Sequence, residues 1–238
     1  MIVNYTAEGW SMIMQRSHGL LAAQICAQWK KEDQPARWVD TLIATAEHDD
    51  ANEELSMPEI NPETGGPKNF KMKPFDEEYC DRLLNMAFAK GRYVGLLIAR
   101  HIRFLYRDEP TAGKYCEQLE QKEAEWITEA GTTEKAVAAS YELLEFCDAL
   151  SLIMCQDLIP PEGRKMEISN GPDGTTYQLF RAENGDLAVQ PWPFEPASFE
   201  VSYESRCISQ LSFKRPEALR DLLQQANARL HAFTFSKP

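Results

Sequence analysis

The feature that most constrains this fold is a change of pattern at Pro160-Pro161. Before it, apolar residues recur at the three- and four-residue spacing of helices that share a core. After it they alternate in short stretches separated by turn residues. Residues 1–6 form a short edge strand. A helix starts near Thr6 and carries Trp10, Ile13, Met14, Leu20, Leu21, Ile25 and Trp29 over residues 10–30. A second helix over 36–46 places Trp38, Leu42, Ile43 and Ala46 on one face. Asp76 caps a helix over 77–90, which Gly91 ends. Residues 93–106 are apolar on more than one face, as expected of a central helix. Two amphipathic helices follow, over 115–130 and 132–158. Between the second and third helices, residues 51–76 carry Pro58, Pro62, Gly65, Gly66, Pro67 and Pro74 and read as a long loop of the lid or binding type.

Beyond Pro161, strands fall at 165–168, 176–180, 186–189 and 198–203, with turns at Asn170-Gly171, Asp173-Gly174 and Asn184-Gly185. Pro216 starts a last helix to about residue 230, and an apolar tail over 231–235 reads as a strand. The expected fold class is mainly α: a helical bundle over 1–160 with a small antiparallel sheet and a C-terminal helix over 161–238, packed on the same core.

At 238 residues the chain can bury a sizeable core without staples. Its formal net charge of −12 offers no broad basic field, which argues against nucleic acid or an anionic membrane as partner. No apolar run approaches membrane-spanning length, and the first residues lack the basic and apolar regions of a signal peptide. A cytoplasmic protein is expected, compatible with a homo-oligomer. None of the six cysteines forms a CxxC pair, and Cys26, Cys147 and Cys155 fall in apolar helical patterns as buried thiols.

Glu47-His48-Asp49-Asp50 closes the second helix. Neutral imidazole and ionised carboxylate both bind divalent metals. Adjacent side chains on a helix point about 100° apart, so His48 and Asp49 can share one ion only where the helix end turns into a cavity. His18 lies inward on the first helix, and His101 shares the face of Val94, Leu97, Ile98 and Leu105. Asp148 interrupts the apolar stripe of Val137, Tyr141, Leu144, Leu152 and Cys155. A lone inward histidine is by default a core residue with a satisfied hydrogen bond, and a buried aspartate can bond a neighbouring helix. His18, then His48-Asp49, then Asp148 follow one another in the order His, His-Asp, Asp. His231 lies outside the set and reads as structural.

This order on a helical bundle resembles the HD superfamily of metal-dependent phosphohydrolases. The resemblance implies that His18, His48, Asp49 and Asp148 hold a divalent metal (Fe, Mn, Zn, Ni or Mg). His101 would take a second metal or donate to phosphate. It also implies hydrolysis of a phosphorylated small molecule, a phosphomonoester or nucleotide. Asp50 or Glu47 would then orient a ligand histidine or accept a proton from water. Arg16, Arg100 and Arg103 would be the nearby cations, although surface ion pairs are their ordinary use. The runs Gln15-Arg-Ser-His18, Glu47-His-Asp-Asp50 and Leu96-Leu-Ile-Ala-Arg-His101 together resemble a bacterial domain-of-unknown-function family over most of the chain. That family commonly has a glycine and a tryptophan after the acidic pair, where this chain has Ala51-Asn52. Two other functions stay open on such a scaffold: binding of a ligand or partner without turnover, and oxygen activation by a di-iron centre. No GxSxG, glycine-rich phosphate loop or HExxH occurs.

Overall fold

The computed structural model describes residues 1–238. The chain opens with a hairpin, β1 (Ile2–Thr6) and β2 (Gly9–Ile13). Six helices follow: α1 (Gln15–Cys26), α2 (Trp38–Glu47), α3 (Glu77–Phe88), α4 (Arg92–Tyr106), α5 (Gly113–Glu129) and α6 (Glu134–Cys155). Then come β3 (Met166–Asn170), β4 (Thr176–Arg181), β5 (Leu187–Gln190), β6 (Ser198–Ile208), α7 (Pro216–Gln225) and β7 (Ala228–Ser236). The strands make one seven-stranded sheet in the order β1-β2-β6-β7-β5-β4-β3. Only the β5–β7 pair is parallel.

This overturns the mainly helical expectation. The protein is mixed α/β, with a sheet that joins the N-terminal and C-terminal parts of the chain. The difference lies in residues 10–13, which form β2 and not the start of a helix. Thr6 Oγ1 accepts from the Glu8 amide at 3.2 Å, and Gly9 sits at φ +115°, a conformation that favours glycine. A Cβ there would lie 2.3 Å from the Ile208 carbonyl oxygen. The turn pairs Ile2 with Ile13, and β2 then pairs with β6 through Trp10 and Ile208. Over four residues, Trp10 to Ile13 fits a helical period as well as a strand period. The strand places Ile13 and Met12 on opposite faces, in two different cores.

Three cores result. The largest lies between one sheet face and helices α1 and α6, with Leu21, Ile25, Phe146 and Leu150 against Leu179, Val189, Val201 and Phe235. The second lies among the helices and includes Leu83, Leu97 and Leu144. The third packs Leu219 and Leu223 of α7 against Met12 and Ile208. The 22-residue helix α6 feeds the first two cores from different faces, which is why its apolar pattern is broad. Thr133 caps it by accepting from the Ala136 amide. Residues 51–76 run across the edge strand, held by Phe70 N–H to Met1 O at 2.8 Å and Asn69 Nδ2 to Val3 O at 3.0 Å. No helix is long and apolar enough to cross a membrane.

Candidate metal centre

Four elements bring the candidate ligands together. His18 sits in the second turn of α1, His101 on α4 and Asp148 on α6. α2 ends at Glu47, so His48 and Asp49 lie where the helix stops and the chain turns. This is the geometry that lets neighbouring side chains aim at one point. The α1–α2 crossing is tight because residue 19 is glycine: a Cβ there would sit 2.5 Å from the Ala46 carbonyl oxygen.

At the crossing, His18 Nε2 and His48 Nε2 are 3.0 Å apart. Asp148 Oδ1 is 3.0 Å from the first and 3.3 Å from the second. Asp49 Oδ2 completes the group at 4.0 and 3.8 Å. The tautomers follow from the partners. His48 Nδ1 is 2.8 Å from the Thr45 carbonyl oxygen, which can only accept. Ser151 Oγ donates to the Asp148 carbonyl at 2.8 Å, so it accepts from His18 Nδ1 at 2.7 Å. Both histidines therefore carry a proton on Nδ1 and turn Nε2 toward each other and toward two carboxylates. Such a convergence in a buried site is satisfied by a proton shared among these atoms or by a metal ion between them. The donor set of two imidazoles and two carboxylates, with outer hydrogen bonds fixing each imidazole, fits a divalent metal.

His101 adds to this set. It is buried, stands edge-on to the His48 ring at 5.0 Å, and forms an overlapping ligand group with His48 and Asp148. Its Nδ1 has no partner, and neither does Gln15 Oε1. Unpaired buried polar atoms are few in a folded protein, and both of these residues line one cavity with Asp49 and Asp148.

With no metal, burial works to lower the His48 pKa, but Asp148 and Asp49 outweigh it and raise it to about 9. Burial would raise the Asp148 carboxyl, yet His48 and His18 hold it well below the usual range. Burial, and then the neighbouring His48, lowers His101 to about 4. His101 is thus neutral at physiological pH.

Asp49, Asp148 and His101 line a cavity of about 720 Å³. Its lining also includes Lys68, Lys71 and Lys73 from residues 51–76 and Arg82 of α3. Glu59 pairs with Lys68 at 3.0 Å and with Lys73 at 2.7 Å, while Lys71 and Arg82 make no ion pair. Tyr79 donates to Asp49 Oδ1 at 3.2 Å and Gln15 Nε2 to Asp49 Oδ2 at 2.7 Å, so the carboxylate is held from both sides.

The other sequence candidates lie elsewhere. Glu47 pairs with Lys90 at 2.5 Å, and Asp50 faces Arg16 at 3.6 Å; neither lines the cavity. On either side of the helix end these two carboxylates turn to solvent-side cations, so a proton-handling role for them has no geometric support. Arg100 and Arg103 are bound by Glu123, with Glu134 and Glu120, on the outer side of α4. Arg16 also donates to the Asp50 carbonyl oxygen. His231 is far from the centre in the sheet, bonded to Ser205 at 2.8 Å and stacked on Tyr203.

Sequence reasoning missed Gln15 and Ser151, although each stands three residues from a ligand and therefore on the same helix face. Nothing local marked Tyr79, Lys71 or Arg82. A family model described as protein of unknown function (DUF3891) matches residues 1–210, which include every residue of the centre. No curated protein and no solved structure matches the chain.

Proposed function

We propose that this chain, which belongs to the family of proteins of unknown function DUF3891, is a metal-dependent hydrolase of a phosphorylated small molecule. The observation that carries the reading is the convergence of His18, His48, Asp49 and Asp148 at one buried point beside a cavity. A bound divalent ion would polarise a phosphoryl oxygen and acidify water for attack. The two imidazoles favour a borderline metal such as Zn, Fe or Ni over Mg, and the two carboxylates admit Mn as well.

The remaining groups suit the same task. Tyr79 and Gln15 hold the Asp49 carboxylate in one orientation. His101, neutral and with a free ring nitrogen, can bond a phosphoryl group or serve as a further ligand. Lys71 and Arg82 have charge to spare for an anionic substrate. The cavity volume admits a molecule of nucleotide size. This resembles the HD-type arrangement, in which a metal rests in the middle of a helical bundle, here backed by a sheet.

The test is elemental analysis of protein purified without chelator or metal-binding tag, beside His48→Ala and Asp148→Ala. We expect one or two ions per chain, lost in both variants, and then turnover in a phosphatase and phosphodiesterase screen with that metal. Protein that carries no metal and takes none up on titration would refute the reading.

A further inference from the structure

We propose that Gln15 positions the attacking water, an inference that rests on the hydrolytic reading above. Gln15 is the first residue of α1, one turn before His18, and only 5% exposed. Its Nε2 donates to Asp49 Oδ2 at 2.7 Å. An ionised carboxylate only accepts, so the amide cannot be turned round without setting two oxygens against each other. The carbonyl oxygen Oε1 is therefore committed to its place, and there it is buried without a donor. Gln15 lines the same cavity as Asp49, His101 and Asp148.

A buried carbonyl that lacks a hydrogen bond loses its hydration with nothing in return. The neighbouring carboxylates cannot satisfy it, because they too are acceptors. The donor is left to come from the cavity that Gln15 lines with Asp49 and Asp148. Gln15 is buried and anchored on Asp49, and a water molecule is the smallest donor that can reach its oxygen there. Water is also the co-reactant of the proposed reaction.

In that reaction the water oxygen bonds to phosphorus as the ester phosphorus–oxygen bond breaks. The ester electron pair leaves on the alcohol oxygen, which receives one water proton; the other stays on the phosphate. Gln15 remains neutral throughout. Its oxygen accepts a hydrogen bond from the water and so aims a water lone pair at phosphorus, a role open to a carbonyl that has no basicity to offer. The anchor on Asp49 fixes that oxygen relative to the ligand set.

The experiment is a crystal structure of the full chain loaded with Mn²⁺, for the wild type, Gln15→Leu and Gln15→Met. It is joined to kinetics at saturating Mn²⁺ with p-nitrophenyl phosphate or the best ester from the screen. We expect an ordered water within about 3 Å of Oε1 in the wild type. Both variants should keep their Mn²⁺ and lose that water, with kcat down about a hundredfold and KM little changed. A wild type with no water on Oε1 would overturn the proposal, even if neither variant folds. So would variants whose kcat returns in full at saturating Mn²⁺, since Gln15 would then merely hold Asp49. A wild type that carries the water but cleaves no phosphate ester would overturn the hydrolytic reading and the attacking role with it. That outcome is distinct from turnover that is indifferent to Gln15.

Discussion

His48 and Asp148 show how two residues govern each other. Without metal, a proton rather than an ion lies between these groups, held on His48 by the Asp148 carboxylate against the cost of burial. The folded pKa of about 9 stands above the ordinary 6.5. The stabilisation is therefore fully present below pH 6.5 and is lost as pH rises through 9. Its size is on the order of 3 kcal/mol. Metal-free protein should lose stability over that window in denaturant titrations, and Asp148→Asn, which lacks the larger of the two raising charges, should show a much shallower slope. Metal must displace the same proton. Calorimetry near pH 7.5 in two buffers of different ionisation enthalpy should record about one proton released per ion, with apparent affinity rising as pH rises.

Among the elements, the α1–α2 crossing decides whether the centre exists. His18 and His48 meet at 3.0 Å because Gly19 lets the Ala46 carbonyl approach α1. Gly19→Ala puts a methyl group 2.5 Å from that oxygen, which is backbone and cannot swing away. The two helices must separate. Overpacking of this kind costs about 1–3 kcal/mol, and here the separation also pulls the Nε2 atoms apart. Thermal unfolding and metal titration should both register the change, and metal affinity should fall even though no ligand has been altered. The helices themselves were readable from sequence, since Asp76 and Thr133 cap α3 and α6 and the apolar spacing is regular. The hairpin was not, because Trp10 to Ile13 is too short to separate a period of two from one of 3.6.

For the molecule as a whole, α6 is the spine. It gives Phe146 and Leu150 to the core under the sheet and Val137 and Leu144 to the core among the helices. The helices therefore depend on the sheet for burial of one face of α1 and α6. A fragment of residues 1–160 would expose Leu21, Ile25, Phe146 and Leu150 and would leave β2 without β6. We expect this fragment to lack cooperative unfolding by circular dichroism, to be cut rapidly by protease and to bind no metal. A fragment that melts cooperatively and holds an ion would show that Pro160 divides two independent folding units.

The sequence by itself determined the helices α2 to α7, the strands after Pro160 and the residues that converge at the buried helix crossing. These depend on periodicity, capping and residue chemistry, all of which are local. Only the tertiary structure decided that β1 and β2 complete a sheet begun 150 residues later. It also decided that Asp49 turns inward while Glu47 and Asp50 turn to Lys90 and Arg16, and that the cavity takes its cations from Lys71 and Arg82 rather than from the arginines beside the histidines. Strand partners and the direction of a side chain past a helix end are set by contacts between segments far apart in the chain. No local pattern encodes them, because the same four residues or the same carboxylate would satisfy local rules in either arrangement.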